Sequence, residues 1–379
     1  MAPLGLYLHI PFCASLCGYC TFTRGRLDND LKREYVVALE QEIRRGGAGR
    51  PVAGVQADTL YFGGGTPSLL EPAEVGRLVA ACRDRFALDP CAEITLEANP
   101  ESVDAGLLAG FREQGINRLS LGVQSFRDKE LKRLGRVHTA DRSLAAAAEA
   151  RSAGFENISL DLMMGLPGQS LDEWLASLDE LITLDPAHAS LYLLELHDHV
   201  AMRLDMAREG LAPIGDDVAA DMYLAGVERL EAAGFRQYEI SNVARPGRES
   251  RHNLKYWTDG DWIGFGCGAH STWNGVRWKN VSGTEDYIDR VGASQGPAAE
   301  RQMMTARQRL EDALFMGLRL TAGVDADALG RRYGMAVWAS YGDRLAPFVE
   351  AGLLVREAGR LRLTRPGMLL ANEVMMSFV

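Results

Sequence analysis

Hydrophobic positions along the first 240 residues alternate between two patterns. Short runs that are apolar almost throughout, "GLYLHI", "DTLYFGG", "AEITLEA", "RLSLGV", "ISLDLMMG" and "ASLYLLEL", read as six strands. Between them, "DLKREYVVALEQEIRR", "PAEVGRLVAACRDRF", "VDAGLLAGFREQG", "ADRSLAAAAEARSAG" and "SLDEWLASLDELITL" carry apolar residues at helical spacing, with Gly or Pro at many ends. Strands of this kind separated by helices belong in a parallel sheet covered by helices. Six such units predict an α/β fold whose first domain, residues 1–240, is a partial (β/α)6 TIM-like barrel. Functional side chains gather at strand C-termini in that architecture. Here Cys13, the "GGGTP" run, Glu97, Gln124 and Asp161 all fall within or just after predicted strand ends.

Residues 241–305 look irregular, rich in Gly, Trp and Asn, and are expected to connect the barrel to a different unit. From residue 306 to 379 the pattern becomes helical, then gives "GLLVREAGRLRLT", which reads as a two-stranded wing, and a final helix. A winged-helix-like C-terminal α+β domain is expected. From Arg307 onward ten Arg face eight Asp or Glu, so this domain reads as a packing or partner-binding module rather than a DNA binder. The whole chain carries a formal charge of −10, which argues against nonspecific nucleic-acid binding. With 47% hydrophobic residues it can fill both cores. It shows neither a run of about 18 apolar residues nor a signal-peptide pattern, so a cytoplasmic protein without a transmembrane segment is expected.

Six cysteines in such a chain do not suggest a disulfide framework. Cys82, Cys91 and Cys267 are scattered and are expected to be buried small hydrophobes. Cys13, Cys17 and Cys20 are different, because all three fall on one loop after the first strand. A structural zinc site wants a second pair of ligands, and none follows. Three thiolates suit a 4Fe-4S cluster with one iron left open. A zinc or redox site completed by a distant His is the alternative.

At these residues the chain resembles the radical SAM superfamily, in which the open iron holds the amino and carboxylate groups of S-adenosylmethionine (SAM). "YFGGGTP", with Gly63, Gly64, Gly65 and Thr66, matches the motif that holds the SAM amino group. Glu97, Gln124, Arg136 and Asp161 match SAM-contacting positions of the coproporphyrinogen-oxidase-like subgroup, and Tyr7 and Tyr19 match positions packing beside cluster and SAM. The resemblance covers nearly the whole chain. Two branches compete within it, an oxygen-independent coproporphyrinogen III oxidase and a heme chaperone.

The oxidases usually carry a fourth cysteine where this chain has Phe22, and a long arm before the cluster where only twelve residues precede Cys13. "RHNLKYW" supplies the HNxxYW motif of the chaperone branch through His252, Asn253, Tyr256 and Trp257. An imidazole can ligate heme iron, and Tyr and Trp can line a porphyrin face. "GFGCGAHS" adds Cys267 and His270 as further donors, although a glycine-rich turn explains that stretch equally well. "LHDHVA" departs from the family pattern and places His197 and His199 on either side of Asp198. The resemblance implies a chaperone that binds heme, SAM and a 4Fe-4S cluster and hands heme to acceptor proteins, membrane respiratory enzymes among them, without coproporphyrinogen oxidase activity.

Overall fold

The computed structural model describes residues 3–46, 52–196, 200–208 and 210–379; the His197 and His199 pair lies outside the described residues. The barrel is built from β1 (Leu4–Ile10), α1 (Asn29–Arg45), β2 (Gln56–Gly64), α2 (Pro72–Arg85), β3 (Ala87–Ala98), α3 (Ala105–Glu113), β4 (Arg118–Gln124), α4 (Asp128–Arg133), α5 (Ala140–Ser152), β5 (Asn157–Met164), α6 (Leu171–Thr183) and β6 (His188–Leu193). β1 to β6 pair in sequence order, each parallel to the next. This is the expected α/β fold.

Local chemistry sets the helix ends. The Asp28 side chain accepts from the Asp30 and Leu31 amides to start α1, and Gly46 ends it at φ 83°. Glu71 with Glu74, and Ser170 with Glu173, form capping boxes at α2 and α6. Tyr35, Val36, Leu39 and Ile43 of α1 are buried in the same core as Leu4, Leu6, Leu8 and Ile10 of β1.

The strands are less uniformly apolar than their pattern suggested. Their alternate residues turn inward and build a polar interior. His252 meets Thr59, Tyr61 donates to Glu97, Ser120 donates to Asp161, and Ser159 meets His188. Buried polar groups persist where they are hydrogen-bonded. One strained member is Arg118, which is 1% exposed and whose Nε finds no acceptor among the described residues.

After α7 (Ala201–Arg208) and α8 (Asp216–Ala232), the segment expected to be irregular contains short strands that join the main sheet, and two helices. β7 (Arg236–Glu239) and β8 (Asn242–Ala244) extend the barrel antiparallel beyond β6. α9 (Arg251–Trp257) then crosses back. β9 (Trp262–Phe265) pairs parallel with β1, and β10 (His270–Trp273), β11 (Val276–Asn280) and β12 (Ala298–Met303) follow antiparallel. Strands of four to six residues are too short to display a convincing period.

The C-terminal unit consists of α11 (Ala306–Gly317), β13 (Val324–Asp325), α12 (Ala326–Tyr333), α13 (Val337–Glu350), β14 (Leu354–Glu357), β15 (Arg360–Leu363), α14 (Arg365–Leu369) and α15 (Ala371–Met375), with α10 (Thr284–Gly292) lying earlier between β11 and β12. β14 and β15 form the expected wing, and β13 completes a three-stranded sheet. Leu345, Leu361 and Phe378 belong to the same hydrophobic core as the barrel. No helix among the described residues is long and apolar enough to cross a membrane.

Candidate cofactor site

The cysteine loop is closed at its base. Phe12 and Cys13 pair in parallel with Gly25 and Arg26, and the amides of Gly25 and Leu27 donate to the carbonyls of Pro11 (2.6 Å) and Cys13 (2.9 Å). Inside the loop, Arg24 Nη2 donates to the carbonyls of both Cys17 and Cys20 at 2.8 Å. All three thiols are free. Cys13 is buried, which pushes its thiol pKa up, and a hydrogen bond from Thr66 opposes that shift. Among the described residues no three His, Cys, Asp or Glu side chains converge on a point that a single metal ion would occupy. A four-iron cube asks for something else, one thiolate on each of three separate irons.

The glycine run is bound directly to this loop. The Gly65 and Thr66 amides donate to the Ile10 (2.8 Å) and Phe12 (2.7 Å) carbonyls. A Cβ at Gly65 would stand 2.6 Å from the Phe12 carbonyl oxygen, and Gly64 sits at φ 116° with its missing Cβ 2.6 Å from His9. Only glycine permits this approach. Gly65→Ala should therefore lower stability by about 2–4 kcal/mol, because the obstacle is a backbone carbonyl already bound by the Thr66 amide, with little room to move. Chemical denaturation of the purified variant checks this; a midpoint equal to wild type would refute the close approach.

Glu97 faces Gly64 from β3. Its carboxylate accepts from Tyr61 Oη (2.7 Å) and the Gly64 amide (3.1 Å). Enclosure by protein pushes its pKa up to about 7, against the pull of the Tyr61 hydrogen bond. Asp161 accepts from Ser120 and Ser159, and burial likewise raises its pKa. Arg136 reaches from beyond α4 to Asn99 Oδ1 (2.6 Å), the Gly122 carbonyl (3.0 Å) and Cys17 Sγ (3.6 Å). Its Nε is buried without an acceptor among the described residues. Gln124 adopts φ 66° at the end of β4, a strained position for a non-glycine residue at a strand terminus.

These groups open onto one cavity of about 840 Å³, which also receives Tyr19 and Thr66. The same lining includes the apolar side chains Met163, Met164 and Tyr192 and, from the C-terminal unit, Met368, Leu369 and Leu370. Sequence reasoning missed Arg24, Asn99, Ser120, Arg319 and the 368–372 segment. Arg24 was within reach, as the first cation after the cysteines; nothing local marks the others.

Several expected positions lie elsewhere. Tyr7 does not line the cavity. It sits one layer below, 6.2 Å from the Tyr61 ring and 6.4 Å from the His252 ring. His252 is 1% exposed: Nδ1 meets Thr59 Oγ1 (2.8 Å), Nε2 meets Tyr256 Oη (2.9 Å), and its amide donates to Glu93 (3.0 Å). Burial, with Lys255 and Arg118 nearby, pushes its pKa down to about 3. Both ring nitrogens are engaged, so in this arrangement the ring offers no lone pair to iron. Asn253 sits in the first turn of α9, where its amide donates to Ser250. Trp257 lies beneath Arg319, whose guanidinium carbon is 4.6 Å from the ring centroid. Cys267 and Cys82 are core residues. Cys91 is exposed, contrary to expectation, because it lies in the irregular stretch of β3 between the Ala57–Leu88 and Thr59–Glu93 pairs. His270 is exposed on β10.

Residues 7–181 match the radical SAM superfamily, and residues 304–370 match the HemN C-terminal domain. The chain is 37% identical to the heme chaperone HemW of Bacillus subtilis, covering 98% of both chains. The chain belongs to the HemW family. HemW of Mycobacterium tuberculosis is 38% identical over 98% of this chain and 94% of its own. The solved structure of HemN, the coproporphyrinogen III oxidase of Escherichia coli described as a radical SAM enzyme, superposes with a TM-score of 0.87 at 25% identity, covering 99% of this chain and 90% of that one. HemW membership places the three cysteines and the glycine cradle in a radical SAM setting. Phe22 lines the cavity and is 69% exposed.

Proposed function

We propose that this HemW-family protein binds a 4Fe-4S cluster, SAM and heme, and delivers heme to acceptor hemoproteins, membrane respiratory enzymes among them, in the cytoplasm. One observation carries the proposal: a single cavity is lined both by the three-cysteine loop with its glycine run and by a set of large apolar side chains.

The residues suit the cofactors they would hold. Cys13, Cys17 and Cys20 are free thiols on a loop braced by Arg24, and Arg136 supplies positive charge beside Cys17. Gly64 and Gly65 let the end of β2 pack directly against His9 and the Phe12 carbonyl, which holds the glycine run against the cysteine loop. Around it Tyr19, Thr66, Glu97, Gln124, Arg136 and Asp161 offer both signs of charge to a zwitterionic ligand such as SAM. When bound, cluster and SAM together supply one-electron chemistry, or a fixed ligand platform if SAM stays whole. The chain's own part is to orient the methionine end: Arg136 toward a carboxylate, Glu97 toward an ammonium, Asp161 toward hydroxyls.

The test is a pair of assays on anaerobically reconstituted protein. Heme titration should saturate near one equivalent, and coproporphyrinogen III with SAM and a reductant should yield no protoporphyrinogen. Turnover of coproporphyrinogen would transfer the assignment to the oxidase activity named for the E. coli neighbour.

A further inference from the structure

The C-terminal unit contributes a cation to the cavity lining. Arg319 follows α11 and lines the cavity, 299 residues after Cys20 in sequence. Its Nη2 donates to Glu239 (3.0 Å) and Ser241 (3.4 Å). Glu239 is fully buried and is also served by the Asn242 side-chain amide, so it does not need both edges of the guanidinium. Arg319 Nε is buried without an acceptor among the described residues. From beneath, the Trp257 ring supports the guanidinium at 4.6 Å.

The surrounding walls describe what would meet this group. Met163, Met164 and Met368 contribute thioethers, and Tyr192 an aromatic face. Such soft, adaptable groups suit a large polarisable ring. Tyr192, Leu193, Leu369 and Leu370 remain 37–47% exposed at the mouth, a concentration of apolar surface that calls for a ligand. A flat apolar body bearing carboxylates fits both features.

Resting on the heme-chaperone function proposed above, we infer that heme lies in this compartment with a propionate on Arg319, and that Trp257 is a positioning residue holding that guanidinium. The HNxxYW stretch then serves the site from behind. His252 anchors α9 to Thr59 and Glu93, and Trp257 at the other end of the helix presents Arg319 to the cavity.

The test compares iron protoporphyrin IX with its dimethyl ester, which keeps the ring and removes the carboxylates, in titrations of the full reconstituted chain. Wild type should prefer the diacid. Arg319→Gln should weaken diacid binding about tenfold, the scale of one charge-assisted hydrogen bond, and leave the ester unaffected. Arg319→Lys should recover part of the loss, and Trp257→Ala should reduce diacid preference without shifting the Soret band. His252→Gln should leave the Soret position in place. Equal loss for diacid and ester in Arg319→Gln, or no preference in wild type, overturns the carboxylate site. A Soret shift in His252→Gln would put the iron at the barrel base and overturn the location. A wild-type chain that binds neither porphyrin overturns the heme function itself.

Discussion

Cys17→Ala should reduce iron content from about four per chain to near zero after anaerobic reconstitution, and with it the broad visible absorption of the cluster. The effect is all-or-none because three thiolates are the whole protein contribution, and two leave a second iron open to solvent and chelators. Cys17 is the informative choice. It lies outside the hydrophobic core, whereas Cys13 is buried and takes part in the ladder that closes the loop. The fold should therefore survive, with Arg24 still bridging the carbonyls of residues 17 and 20. Iron and sulfide analysis, alongside circular dichroism, separates loss of cluster from loss of fold. Retention of iron and sulfide in the variant, or stoichiometric zinc without sulfide in wild type, would reject the cluster assignment.

Glu97→Gln should weaken SAM binding roughly 10- to 100-fold and abolish the proton release that accompanies it. The Glu97 pKa stands near 7 in the folded chain against an ordinary value of 4.5. Between those values the folded protein holds a proton that the unfolded chain has lost. Ligand-free stability therefore falls as pH rises from about 4.5 to 7, by at most about 3 kcal/mol, and by less to the extent that the carboxyl meets water in the cavity. A ligand ammonium beside Glu97 reverses the shift by favouring the carboxylate, so binding near pH 6.5 should expel protons. Calorimetry in two buffers of different ionisation enthalpy reads this directly. The glutamine variant should show no buffer dependence from this site and a flatter stability profile across the same window. If wild type and variant release equal numbers of protons, Glu97 is not the group facing the ammonium.

Much of this architecture could be read from local pattern. Five barrel helices had a helical period, many with a glycine or proline boundary, and each of β1 to β6 was an apolar run of recognisable length, so these elements announced themselves within a short window; the six-residue α4 did not. Cys13, Cys17 and Cys20 were equally legible, since ligands on one short loop are brought together by the chain itself. Gly64 and Gly65 declared a close approach, although the partner carbonyls of Ile10 and Phe12 emerged only in the fold.

What no local window contained was the meeting of distant segments. The polar inner face of the barrel exists because opposed strands satisfy one another's side chains. The strands between residues 262 and 303 became visible only by pairing outward from β1. Arg319 and residues 368–372 reach the cavity because the C-terminal unit shares the barrel's core. His252 marks the boundary most clearly. Its motif was evident in sequence, but its chemistry was decided by burial and by Thr59, 193 residues earlier, which occupies Nδ1, while Glu93, 159 residues earlier, holds the backbone amide at the start of α9. A sequence names which groups are available; only tertiary packing decides whether a lone pair remains free or is already bound, because burial and hydrogen-bond saturation are properties of neighbours that the chain order does not specify.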